Sequence, residues 1–155
     1  MNRLRMAVVG LGQMGQIHVG NVARLPNARL HAVASRRPDV AQDIAQRYHA
    51  DCFYTDYAQL FSDPDLEAVV IATGCAEHPA HIIQAAQHGL HIFTEKPISF
   101  TLEAIDRALA AVQAAGVQFQ VGFMRRFDPG YAVARQKIAE GAIGRPVMFL
   151  SLIHI

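Results

Sequence analysis

The chain has 155 residues, 52% of them hydrophobic and 17% charged, with a formal net charge of +1. That suits one compact domain with a real core. With no basic block and no apolar run as long as a membrane span, nothing in it points to nucleic acid or a membrane as a partner. Cys52 and Cys75 are the only cysteines. They lack metal-ligand spacing, so no metal site is expected and a reduced, cytoplasmic chain is the simplest reading. Met1 to Arg5 is basic, but glycines break the apolar stretch behind it, so it reads as a first strand and not a signal peptide.

Met6 to Val9 is a short apolar run that leads straight into Gly10-Leu11-Gly12-Gln13-Met14-Gly15 and then a helical pattern. Strand, glycines and helix in that order are what a dinucleotide pyrophosphate needs. Gly10 allows the tight turn, Gly12 lets the backbone approach the phosphates, and Gly15 lets the helix pack on the strand. Gln13 and Met14 belong to the same cofactor loop, and the helix start offers free N–H groups to an anion. A second strand covers Leu30 to Ala34. Ser35 at its end lies 20 positions after Gly15, where the ribose-recognising residue falls.

Pro38 to His49 reads as a helix with Pro at its start. Cys52 to Tyr54 is a short third strand, and Asp56 to Phe61 a helix of one or two turns. Glu67 to Ala72 is a continuous apolar strand, as in a sheet covered on both faces. His78 to His88 is a helix ended by Gly89. Leu90 to Phe93 is a fifth strand. Thr101 to Ala115 is a helix capped by its threonine, with Gly116 behind it. Val117 to Val121 is a sixth strand. The alternation predicts an α/β fold, a doubly wound parallel sheet of the Rossmann type. Cys75, in a cofactor loop, reads as a small buried hydrophobe.

Beyond residue 121 the pattern changes. Asp128-Pro129 opens a helix over Gly130 to Glu140, and the run Val147-Met148-Phe149-Leu150 reads as a strand without a partner. The expected division is a dinucleotide-binding domain over 1–121, then a linker, helix and first strand of a truncated second α/β domain over 122–149. Residues 150–155, Leu-Ser-Leu-Ile-His-Ile, match the translation of a transposon adapter used in sequencing libraries, and no function is assigned to His154.

Three further motifs follow strands: Thr73-Gly74-Cys75-Ala76-Glu77-His78, Glu95-Lys96-Pro97 and Gly122-Phe123-Met124-Arg125-Arg126-Phe127-Asp128-Pro129. With the glycine loop they resemble the family of glucose–fructose oxidoreductase, inositol 2-dehydrogenase and the rhizopine-catabolism proteins, up to Phe149. The last motif, running on through Gly130 and Tyr131, is most like the inositol 2-dehydrogenases of that family. The resemblance implies an NAD(P)-dependent oxidoreductase that transfers hydride to or from a sugar, a cyclitol or a related polyol.

It implies that Lys96 is catalytic, close to the nicotinamide and the reacting hydroxyl. Glu95 then contacts the nicotinamide ribose or orients Lys96, often beside a cis bond before the proline. Thr73 and Gly74 approach the cofactor through backbone; Gly74 departs from the family's asparagine or proline. His78 matches the family's loop histidine and reads equally as an early helix residue. Arg126 matches an arginine near the nicotinamide. The family's catalytic aspartate and histidine lie in the second domain, so this chain alone is expected to be inactive, and its full-length parent a homo-oligomer. The other reading is a non-catalytic, NAD(P)-sensing Rossmann module. For the cofactor, Ser35 with Arg36 and Arg37 would welcome a 2′-phosphate, which favours NADP over NAD. The inositol-dehydrogenase likeness pulls toward NAD.

Overall fold

A computed structural model of the chain describes residues 3–150. The adapter-like tail from residue 151 on lies outside them. The chain forms two compact units, 1–122 and 123–155.

The first unit alternates strand and helix: β1 (Leu4–Val9), α1 (Gln13–Arg24), β2 (Ala28–Ala34), α2 (Pro38–Tyr48), β3 (Cys52–Tyr54), α3 (Tyr57–Phe61), β4 (Ala68–Ile71), α4 (His78–Gln87), β5 (His91–Thr94), α5 (Leu102–Ala115) and β6 (Phe119–Val121). All six strands are parallel, in the order β3-β2-β1-β4-β5-β6. This is the doubly wound arrangement of a Rossmann sheet.

The strands alternate between two cores, which is why their apolar runs are continuous. Ala7, Val9, Val69 and Ile71 pack with α3, α4 and α5 through Leu60, Phe61, Ile82, Ala85 and Ala108. Val8 and Val70 face the other way, toward Val19 and Val22 of α1 and Ala41 and Ile44 of α2. Local chemistry sets the helix ends. The Thr101 hydroxyl accepts the Ala104 N–H at 3.4 Å, and the Asp56 carboxylate accepts that of Ala58 at 2.9 Å. Gly116 ends α5 in the left-handed region, and His49 ends α2 at φ 55°.

One feature of β2 breaks the alternation. Met6 pairs with Leu30, but Ala7 pairs with Ala32, so His31 is an extra residue in the ladder. Ala28 and Leu30 consequently face the α1/α2 core, while Ala32 and Ala34 face the other. The bulged His31 ring sits between two carboxylates, with Nδ1 3.0 Å from Asp51 and Nε2 2.9 Å from Asp63. The Tyr54 hydroxyl donates to the same Asp63 oxygen at 2.8 Å, and Cys52 Sγ lies 3.9 Å from His31 Nε2. Spacing along the sequence gave no hint of this His–Cys–Asp cluster.

In the second unit a 3-10 turn, Met124–Phe127, precedes α6 (Pro129–Ala139). Asp128 caps α6, accepting from the N–H groups of Gly130 (2.9 Å) and Tyr131 (3.2 Å). The strand expected from Val147 does not form among the described residues. Val147 is 95% exposed and Met148 82%, and a strand exists only against a ladder partner.

Candidate cofactor-binding site

Because every strand is parallel, the turns after β1, β2, β4 and β5 all emerge at one edge of the sheet. The chain leaves β1 toward β2 on one side, and β4 lies on the other, the switch point at which open α/β sheets take their ligands. Gly10 makes the turn out of β1 at φ +89°. A Cβ there would lie 2.8 Å from the Ala72 carbonyl and from Thr73 Cγ2. A Cβ on Gly15 would lie 1.8 Å from the Gly10 oxygen. Both glycines are thus required by the protein itself.

Gly12 is different. A Cβ on it would meet nothing within 4 Å. It is the N-cap of α1, with no side chain capping the helix and no acidic residue in the first turn. The first N–H groups of α1 therefore keep their donors and their positive field for an anion. These features fit a dinucleotide pyrophosphate. Gln13 is exposed and Met14 half-buried at the same helix start.

The loops after β4 and β5 are tied to each other. His78 is buried, with its ring nitrogens 3.0 Å from the Thr73 carbonyl and 2.9 Å from that of Pro97. It clamps the two loops together instead of lining open space. Cys75 is half-buried, its thiol donating to the Pro97 carbonyl at 3.5 Å. The Thr73 hydroxyl pairs with His81 Nδ1 at 3.1 Å, and burial pushes His81 below its ordinary value of 6.5. The Lys96–Pro97 bond is cis.

Glu95 is buried and reaches back to α1, where His18 Nε2 lies 2.8 Å from its carboxylate. Its other oxygen accepts the Lys96 N–H at 3.2 Å. Glu95 therefore fixes the backbone of Lys96, while the Lys96 side chain is exposed and forms no ion pair among the described residues. His18 has no motif of its own. Its only signal is a place three residues after Gly15, on the packed side of α1.

At the β2 turn, Ser35 is buried and its hydroxyl accepts the Arg37 N–H at 3.2 Å. Arg36 does not stand free: it pairs with Glu77 from the loop after β4, and its guanidinium lies 5.4 Å from the centre of the Tyr57 ring. The pairing joins residues 41 positions apart, which no local pattern foretells. The Arg37 side chain is exposed. Arg126 is exposed in the 3-10 turn of the second unit.

A model of the oxidoreductase family with an NAD-binding Rossmann fold, Gfo/Idh/MocA, matches residues 4–123. The chain belongs to this family. Among its relatives, the scyllo-inositol 2-dehydrogenase (NAD(+)) of Bacillus subtilis is 39% identical over 149 residues, 96% of this chain and 44% of the relative. The myo-inositol 2-dehydrogenase of Thermotoga maritima is 32% identical, over 92% of this chain and 43% of that protein. The crystal structure of scyllo-inositol dehydrogenase from Lactobacillus casei with bound NAD(H) and scyllo-inositol matches with a TM-score of 0.86 and 34% identity, covering 92% of this chain and 43% of that one. The chain spans less than half the length of these family members. Among the described residues no helix is long and apolar enough to cross a membrane.

Proposed function

We propose that this chain is the cofactor domain of a dehydrogenase that moves hydride between NAD and a hydroxyl-bearing carbon of a cyclitol of the inositol type, or of a related sugar or polyol. Residues 123 onward begin the domain that carries the substrate. The observation that carries this reading is a lysine with no ion pair among the described residues, Lys96, at the same sheet edge as a glycine turn open to an anion. The inositol dehydrogenases among the relatives supply the substrate class. A nucleotide-sensing module has no use for an ammonium group there.

Nicotinamide, when bound, exchanges the hydride. The rest falls to the chain. Gly12 and the first N–H groups of α1 hold the pyrophosphate. The loops after β2 and β4, with Ser35, Thr73 and Gly74, flank the cofactor. His18 holds Glu95, which holds the Lys96 backbone, so Lys96 Nζ is presented from a rigid base. Oxidising an alcohol releases a proton as well as a hydride, and Lys96 Nζ hydrogen-bonds the reacting oxygen and takes part in handling that proton.

NAD, and not NADP, is the preferred cofactor in this reading. Ser35, Arg36 and Arg37 favoured NADP when read as free groups. The tie from Arg36 to Glu77 withdraws one of the two guanidinium groups on which that rested, while the Arg37 side chain stays exposed.

The test is the full-length enzyme with myo- and scyllo-inositol and either cofactor. Lys96→Ala should lower kcat by about 10²–10⁴-fold while the NADH affinity changes little. Turnover at the parent rate in that variant, or no oxidation of any polyol by the parent, overturns the assignment.

A further inference from the structure

Cofactor preference in a doubly wound sheet is ordinarily set at the end of the second strand, by an acid that accepts from the ribose hydroxyls and repels a 2′-phosphate. This chain has no acid there. Ser35 is buried, its hydroxyl accepts the Arg37 N–H, and the next two residues are arginines. Read locally, the turn should welcome a phosphate.

The fold changes that. The one-turn helix Cys75–Glu77, after β4, brings a carboxylate across to the β2 turn, where Glu77 Oε1 pairs with Arg36. Tyr57, the first residue of α3, backs the guanidinium from the ring side. Its ring in turn packs edge-on against His81 at 5.1 Å, and His81 is bonded to Thr73. Arg36 is thus held between a carboxylate from one loop and an aromatic ring from another.

We infer that Glu77 is a specificity-determining residue: it supplies from the β4 loop the negative charge that the β2 turn lacks, and by holding Arg36 it selects NAD against NADP. The inference rests on the proposed nicotinamide site. A 2′-phosphate entering the turn must take the guanidinium from Glu77, and then carries nearly two negative charges beside an unpaired carboxylate. NAD presents a neutral hydroxyl and leaves the pair intact. Because both partners are partly exposed, with side chains 66% and 32% accessible, the pair is a tunable barrier rather than an absolute block.

The experiment is a titration of the 155-residue chain with NADH and with NADPH, followed by nicotinamide fluorescence. Glu77→Gln keeps the shape and removes the charge. It should tighten NADPH about tenfold and leave NADH within about twofold, and the gain should shrink as salt is raised. Arg36→Met should weaken NADPH further, and in that background Glu77→Gln should recover much less of it, since the two act as one unit. Thermal melts of each variant report on folding. An unchanged NADPH affinity in folded Glu77→Gln, or an equal change for both cofactors, overturns the inference and leaves the dinucleotide site standing. A parent chain that is folded and binds neither cofactor overturns both.

Discussion

The three glycines of the first turn carry different loads. Gly15 has the Gly10 carbonyl oxygen where its Cβ would go, 1.8 Å away, and that oxygen belongs to backbone that cannot swing aside. Gly15→Ala should therefore cost about 3 kcal/mol or more in urea unfolding of the chain. Gly12 sits at φ −70° with open space before it. Gly12→Val should leave stability within about 1 kcal/mol but weaken NADH at least about tenfold, because the side chain would fill the phosphate path. Equal unfolding losses in the two variants would show that Gly12 is also a packing glycine. The sequence motif marks all three as a set. Only the distances separate Gly12, with open space before it, from the two glycines the fold itself demands.

Among the elements, β2 departs most from what its sequence shows. Leu30 to Ala34 reads as a plain apolar strand, and its existence was legible. The extra residue at His31 was not, because a bulge depends on the register against β1. The bulge lets an imidazole staple β2 to Asp51, before β3, and to Asp63, after α3. Burial pushes the Asp63 carboxyl up, but the Asp65 N–H, the Tyr54 hydroxyl and His31 outweigh it and hold the group below its ordinary 3.8. Asp51 is held low in the same sense by Arg29 and His31 against its own burial. A carboxyl with a lowered folded pKa stabilises the fold fully above the unfolded value and loses that contribution as pH falls through the folded value. Asp63→Asn should thus cost about 1–3 kcal/mol at pH 7, with the gap to the parent narrowing as pH drops below 3.8. Urea unfolding at stepped pH measures it. A gap independent of pH would mean that shape, and not charge, is what Asp63 supplies.

For the whole molecule, every residue of the two buried cores lies between Met6 and Phe119. Phe123, Phe127 and the run Val147 to Leu150 are exposed apolar surface on the second unit. A chain ended after Gly122 keeps both cores and all of the candidate cofactor residues except Arg126. It should melt within roughly 4 °C of the 155-residue chain and bind NADH with similar affinity. Calorimetric melting and the same fluorescence titration decide it. A truncated chain that fails to fold would show that residues 123–150 are part of the first unit's stability.

By itself the sequence determined what depends on neighbours along the chain. The six strands, the cap at Thr101, the glycine turn and the parallel sheet were all written in local pattern and alternation. The run from Val147 forms no strand among the described residues, because a strand is completed by a partner that pattern cannot supply. The tertiary structure decided what depends on neighbours through space. It set His18 on Glu95, His78 between the two loops, and Glu77 on Arg36. Each joins residues from different elements, brought within hydrogen-bond reach by the packing of helices and loops on the sheet. The charge that faces a cofactor is a sum over such neighbours, so the Ser35-Arg36-Arg37 turn could be located from sequence but its preference could not.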